Sequence, residues 1–110
     1  EAVSVKQTDV FDAAVQFAKV ETILPAPESS HAIRAAIDEA LKCKETGEAK
    51  TILFGLTGTG YFDMAAYEAY HNGTMRNHIP TDAELLRYHS AAGIKRNIRY
   101  LADLQFLCYI

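Results

Sequence analysis

Residues 51–60 read TILFGLTGTG, a run of β-branched, aromatic and aliphatic side chains that gives way to glycines at 55, 58 and 60. A strand covered on both faces has this composition, because the alternation of polar and apolar residues disappears when neither face meets water. The run predicts a central buried strand over about 51–57. TGTG must then bend the chain, and Asp63 is placed to cap a helix, MAAYEAYH, over about 63–71 that Asn72 and Gly73 would end. One strand cannot make a sheet, so either the N-terminal EAVSVKQ supplies a second or another chain does.

The rest of the chain reads as helices. Val10, Phe11, Ala14, Phe17 and Ala18 recur at helical spacing over about 8–19, with Thr8 or Asp9 available as cap. Pro25 and Pro27 stop that pattern and make an ordered connector of VETILPAPESS. Glu28, Ser29 and Ser30 then suit the start of a helix over about 29–44, whose apolar stripe is Ile33, Ala36, Ile37, Ala40 and Leu41 and whose end is marked by Gly47. TDAE at 81–84 fits the reciprocal pattern in which a Thr hydroxyl and a Glu carboxylate satisfy orphan amides, opening a helix over about 82–91. A last helix is expected over about 94–108, with Ile94, Ile98, Leu101, either Leu104 or Gln105, and Cys108 on one side. The expected fold class is therefore α/β and helix-rich, in one domain across 1–110.

Length and charge narrow the function classes. A chain of 110 residues with 49% apolar composition can bury one modest core. Its net charge of -3 comes from interspersed acids and bases, with no basic run to mark a nucleic-acid surface. The apolar C-terminal stretch is interrupted by Asp103 and Gln105 and falls short of the roughly 20 residues of a membrane span. Neither nucleic acid nor membrane is an expected partner. Cys43 and Cys108 stand apart from any CxxC or Cys/His spacing, so they read as reduced thiols in a cytoplasmic setting.

The motifs support little chemistry by themselves. Gly55-x-x-Gly58-x-Gly60 reverses the dinucleotide fingerprint and lacks the Lys-Ser/Thr end of a P-loop. A strand, a glycine turn and a helix start still bring amides and a helix dipole to one point, so the turn is either a cradle for an anion or polar ring atom or simply a bend that needs glycine. Ser30 and His31 are sequence neighbours on a helix and point to different faces, which excludes a direct Ser/His pair and leaves capping as the reading. His71, His78 and His89 have no carboxylate at a ligand offset, so no metal site is expected. Asp38, Glu39, Asp63 and Glu68 offer no evident acid/base pair, and no catalytic residue is assigned. Tyr61, Tyr67 and Tyr70 read as half-buried core with the hydroxyl at the rim.

One long segment carries more than pattern. DVFDAAVQFAKVETILPAPESSHAIRAAIDEALKCKETGEAKTILFGLTGTGYFDMAAYEAY resembles the C-terminal part of the tryptophan synthase β-chain family, in particular its second, longer subgroup of pyridoxal-phosphate enzymes. The resemblance runs over about 3–86, with ILPAPESSHAI and LTGTGYFD as its anchors, and leaves 87–110 as an unrelated helical tail. It implies a piece of a fold-type II α/β enzyme in which pyridoxal phosphate acts as electron sink while the β-hydroxyl of serine is eliminated and indole is added. In that family the hydroxyl residue opening the S-G-x-G turn hydrogen-bonds the cofactor's pyridine nitrogen, and Thr57 occupies its place. A neutral hydroxyl there suits a ring nitrogen that need not be protonated. The acid before the I-x-P-A-x-E-S run lies near the ring, which implies Glu21; Gly58 and Gly60 would let the backbone pass close to it. The family usually has Gly after that acid, where this chain has Thr22, and a bulky polar residue at the position of Thr59.

The same resemblance places the cofactor-binding lysine and the phosphate loop in an N-terminal part of such enzymes. None of Lys6, Lys19, Lys42, Lys44, Lys50 or Lys95 stands in a matching context. The expectation is a fragment of a lyase that is inactive alone and needs either a missing N-terminal segment or a second copy as partner. The alternative is a small self-associating interaction protein with no enzymatic activity.

Overall fold

The computed structural model describes residues 2–91 and 108–109, and what it builds there is helical. Helix α1 spans Gln7–Glu21 and buries Val10, Phe11, Ala13 and Ala14, the i, i+1, i+3, i+4 set of one face. Neither Thr8 nor Asp9 is its cap. The N-cap is Lys6, which contributes no side-chain bond, and the free amide of Thr8 is met from far along the chain by Asn77. The Asn77 Oδ1 accepts from the Thr8 N–H at 3.0 Å, while its Nδ2 donates to Thr8 Oγ1 at 2.9 Å.

Helix α2 spans Pro27–Thr46, two residues earlier than the serines suggested. Pro27 sits at the first helical position, where its missing N–H has no intrahelical partner to lose. The helix packs along α1 and buries Ser29, Ser30, Ile33 and Ala35. Its outer face carries ion pairs, Arg34 with Asp38 and Glu39 with both Lys42 (3.3 Å) and Lys50 (2.8 Å). A 3-10 turn, Gly60–Asp63, leads into α3, Met64–His71; Asp63 stands at the N-cap of α3 without making a side-chain capping bond. The chain then turns at Gly73 and brings Met75 back against Phe11, Ala14 and Tyr67. Phe11 meets Tyr67 edge-on at 4.9 Å and stacks on Tyr70 at 6.0 Å, so the core of α1 and α3 is largely aromatic. Helix α4, Asp82–Ala91, opens with the reciprocal cap: Thr81 N–H donates to Glu84 Oε2 at 2.8 Å and Glu84 N–H to Thr81 Oγ1 at 3.4 Å. The Thr81 N–H, joined by the Thr81 hydroxyl at 2.9 Å, donates to the Glu84 carboxylate and holds it below its ordinary range.

The central buried strand is not there. Residues 51–57 carry no regular secondary structure, and Leu53 is 89% exposed. The N-terminal stretch contributes only Ala2–Val3 (β1), paired antiparallel with Cys108–Tyr109 (β2), and not with 51–57. The described chain is thus helix-rich rather than α/β. The physical reason is that an apolar, β-branched run specifies a strand only when a neighbour takes up its backbone groups, and the described residues offer none. The helix expected over 94–108 lies outside the described residues except for Cys108. No helix among the described residues is long and apolar enough to cross a membrane.

Candidate functional site

The two sequence anchors meet in space. Helix α1 ends where Thr22 adopts a left-handed φ of 61°, its N–H still bonded to Ala18 O at 3.0 Å, and this turn sends the chain into the proline connector. Pro25 and Ala26 are buried, and Pro27 starts α2 so that Ser29 and Ser30 fall inside its first turn. Both serines are buried, at 3% and 0% exposure, and neither caps the helix. Ser30 Oγ donates back to Ala26 O at 2.8 Å. Ser29 instead turns outward from its helix to the glycine turn. Its Oγ accepts the Thr57 N–H at 2.9 Å and donates to the Thr57 carbonyl, so one hydroxyl satisfies both backbone groups of that residue.

The glycines are used by the same contact. Gly60 N–H donates to Leu24 O at 3.0 Å. A Cβ on Gly60 would lie 2.5 Å from Pro25 O and 2.9 Å from both Leu24 Cγ and Tyr67 Cε2, so only glycine lets the turn seat on the connector. Gly58 has φ +72°, and a Cβ there would come 3.1 Å from Ala26 Cβ. Tyr67 closes the arrangement from α3: its hydroxyl donates to Pro25 O at 2.6 Å, and burial pushes its pKa up, which keeps the phenol a neutral donor. Of the tyrosines, Tyr67 is buried, Tyr70 half-buried and Tyr61 72% exposed.

What remains available is the side chain of Thr57. The residue is exposed, and its Oγ1 lies 3.3 Å from Ser29 Oγ. Since the Ser29 proton is engaged by the Thr57 carbonyl, the Thr57 hydroxyl keeps its own proton to share with Ser29 or to offer outward. No charged side chain bonds to the turn among the described residues. Glu21, the last residue of α1, is exposed, and no interaction joins it to Thr57 among the described residues. The structure therefore brings Thr57, Gly58 and Gly60 together on the connector and leaves Glu21 at the connector's other end.

Ser29 is the residue that reading the sequence missed, being taken for part of a cap. The signal was Pro27: a proline at the first helical position puts Ser29 inside the helix, where its hydroxyl is free to serve another segment. His31, two residues on, has its pKa lowered chiefly by burial, against the opposing charge of Glu28. No group of three or more His, Cys, Asp or Glu that could hold a metal stands together among the described residues.

The turn, fixed at both backbone groups of Thr57, presents one neutral hydroxyl able to donate to or accept from a polar atom of a ligand. The two glycines are occupied with packing inside the chain.

Over 75 residues the chain is 67% identical to the tryptophan synthase beta chain 2 of Aquifex aeolicus (strain VF5), a match covering 68% of this chain and 17% of that protein. The same extent at 67% identity is found with the tryptophan synthase beta chain 2 of Methanosarcina acetivorans. The tryptophan synthase beta chain of Thermococcus onnurineus is 49% identical over 85 residues, 77% of this chain and 19% of that one. The chain spans less than a fifth of the length of these curated relatives. No family model matches it, and no solved structure does.

Proposed function

We propose, for a chain similar over 68% of its length to the C-terminal part of tryptophan synthase β chain 2, that it is a piece of a pyridoxal-phosphate-dependent lyase of that type and supplies the wall at the cofactor's pyridine nitrogen. The observation that carries this reading is the double clasp of Ser29 on the Thr57 backbone, which presents one hydroxyl from a turn held in place. Pyridoxal phosphate, when bound, withdraws electrons from the substrate carbon bearing the amino group. Thr57 would donate its hydroxyl proton to the ring nitrogen, and as a neutral partner it would leave that nitrogen without a full positive charge. Gly58 and Gly60 hold the turn against 24–26, and Glu21 stands near enough in sequence to that connector to border the ring. The lysine and the phosphate loop come from elsewhere, so the chain does not catalyse alone. A cytoplasmic setting goes with this reading.

The test is a chimaera in which the 75 matched residues replace their counterparts in the Aquifex aeolicus protein. The chimaera should form tryptophan from serine and indole, and Thr57→Val within it should reduce kcat by about tenfold or more, with the fold retained, as expected when a positioned hydrogen bond to a reacting group is removed. An inactive but cofactor-loaded chimaera, or a Thr57→Val chimaera of full activity, would overturn the assignment.

A second reading is favoured by the exposure of Leu53, Tyr61, Phe62 and Ile79 at 72% or more. Apolar surface of this kind suits a self-associating interaction protein without enzymatic activity. Such a protein would leave the chimaera inactive.

A further inference from the structure

Helix α2 starts at Ala26 without a side-chain cap, although Ser29 lies in its first turn. A serine hydroxyl has one proton and two acceptor sites. Ser29 turns all three to Thr57: the proton goes to the Thr57 carbonyl, one lone pair takes the Thr57 N–H at 2.9 Å, and the other faces Thr57 Oγ1 at 3.3 Å. The residue is 3% exposed, so water is not at hand to replace these bonds. Its hydrogen-bonding capacity serves one residue 28 positions away and nothing in its own helix.

The glycine turn has a separate seat that does not need Ser29. Gly60 N–H donates to Leu24 O at 3.0 Å, the space a Cβ would take at Gly60 is filled by Pro25 O, Leu24 and Tyr67, and Gly58 lies against Ala26. These contacts fix 58–60 on the connector, whereas Thr57 precedes them and is exposed. What is left to Ser29 is the orientation of Thr57. With both backbone groups held, the Cα–Cβ direction of Thr57 is set, and its β-branched side chain has few χ1 rotamers to choose from. The 3.3 Å separation of the two hydroxyl oxygens is longer than an ordinary O–H···O bond, so Ser29 grips the Thr57 proton weakly and an outside acceptor can take it.

We infer that Ser29 is the positioning residue of this site: it orients the Thr57 hydroxyl toward the ligand's ring nitrogen and, being buried, touches no ligand itself. This rests on the cofactor reading of Thr57 and adds a residue that acts through it. The chimaera, loaded with pyridoxal phosphate isotopically labelled at the ring nitrogen, provides the test. Thr57→Val should shift the ring-nitrogen NMR resonance. Ser29→Ala should shift it the same way by less and lower kcat about fivefold, the fold-change of one ordinary hydrogen bond. The double variant should match Thr57→Val alone in both readouts, because a residue acting through Thr57 has nothing further to lose. Ser30→Ala removes a hydroxyl just as buried but bonded to Ala26 O, and should leave the resonance in place. In the free chain, Ser29→Ala should speed exchange of the Thr57 amide about fivefold or more while the Gly60 amide keeps its rate. Should Ser29→Ala fail to fold, Ser29→Cys, with its weaker donor and acceptor, carries the same comparisons. The inference is overturned by an unchanged resonance in the Ser29 variant, by a double variant that loses the Ser29 factor on top of the Thr57 one, or by equal speeding of Thr57 and Gly60, since the serine would then merely seat the turn. A resonance unmoved by Thr57→Val overturns the cofactor reading itself, and the role of Ser29 with it.

Discussion

At the scale of single residues, the site depends on positions where backbone geometry and residue type either agree or conflict. They agree at Gly60, where any side chain would strike a carbonyl oxygen and a tyrosine ring. They conflict at Thr22, a β-branched residue held at φ 61° in the region where such side chains are crowded. A left-handed residue other than glycine costs roughly 1–2 kcal/mol, and the extra chain entropy of glycine offsets about half of that. Thr22→Gly should therefore raise stability by about 0.5–1 kcal/mol, read as a higher urea midpoint with an unchanged slope. Thr22 was visible in the sequence only as a departure from a pattern; its strain became visible once α1 was seen to end on it.

Elements here are held by groups that lie far from them in sequence. Helix α1 carries no cap of its own at Lys6 and takes two bonds from Asn77, 69 positions beyond Thr8. Asn77→Ala should cost about 1 kcal/mol, comparable with the loss of an ordinary cap, and should speed exchange of the Thr8 amide. Asn77→Asp, which keeps the acceptor and adds a negative charge at the helix's positive end, should lose less. By contrast, the cap of α4 lies within four consecutive residues, Thr81 to Glu84, and was legible in the sequence for that reason. The same distinction explains Ser29: its helix is local, but its partner is 28 residues away.

For the whole molecule, acid is the natural probe. Because His31 has a pKa below its ordinary 6.5, the unfolded chain takes up that proton more readily than the folded one. Its contribution is present in full above about pH 6.5 and is lost as the pH falls through the lower folded value. Glu39 and Glu84, both lowered from 4.5, act only in the more acid range below it. The thermal midpoint should thus begin to drop as the pH falls below about 6.5, and His31→Gln should flatten that first drop while leaving the steeper fall below about pH 4.5. An unchanged slope in the variant would remove His31 from the account. By itself, the sequence determined the helices α1 to α4 and the glycine turn, since apolar spacing, Pro27, Gly73 and the Thr81–Glu84 cap act over a few residues. The tertiary structure alone decided the state of 51–57 and the neighbours of Thr57. A strand exists only where another segment meets its backbone, and a hydroxyl becomes a positioned donor only where something such as Ser29 holds its turn; both depend on groups distant in the chain or outside it.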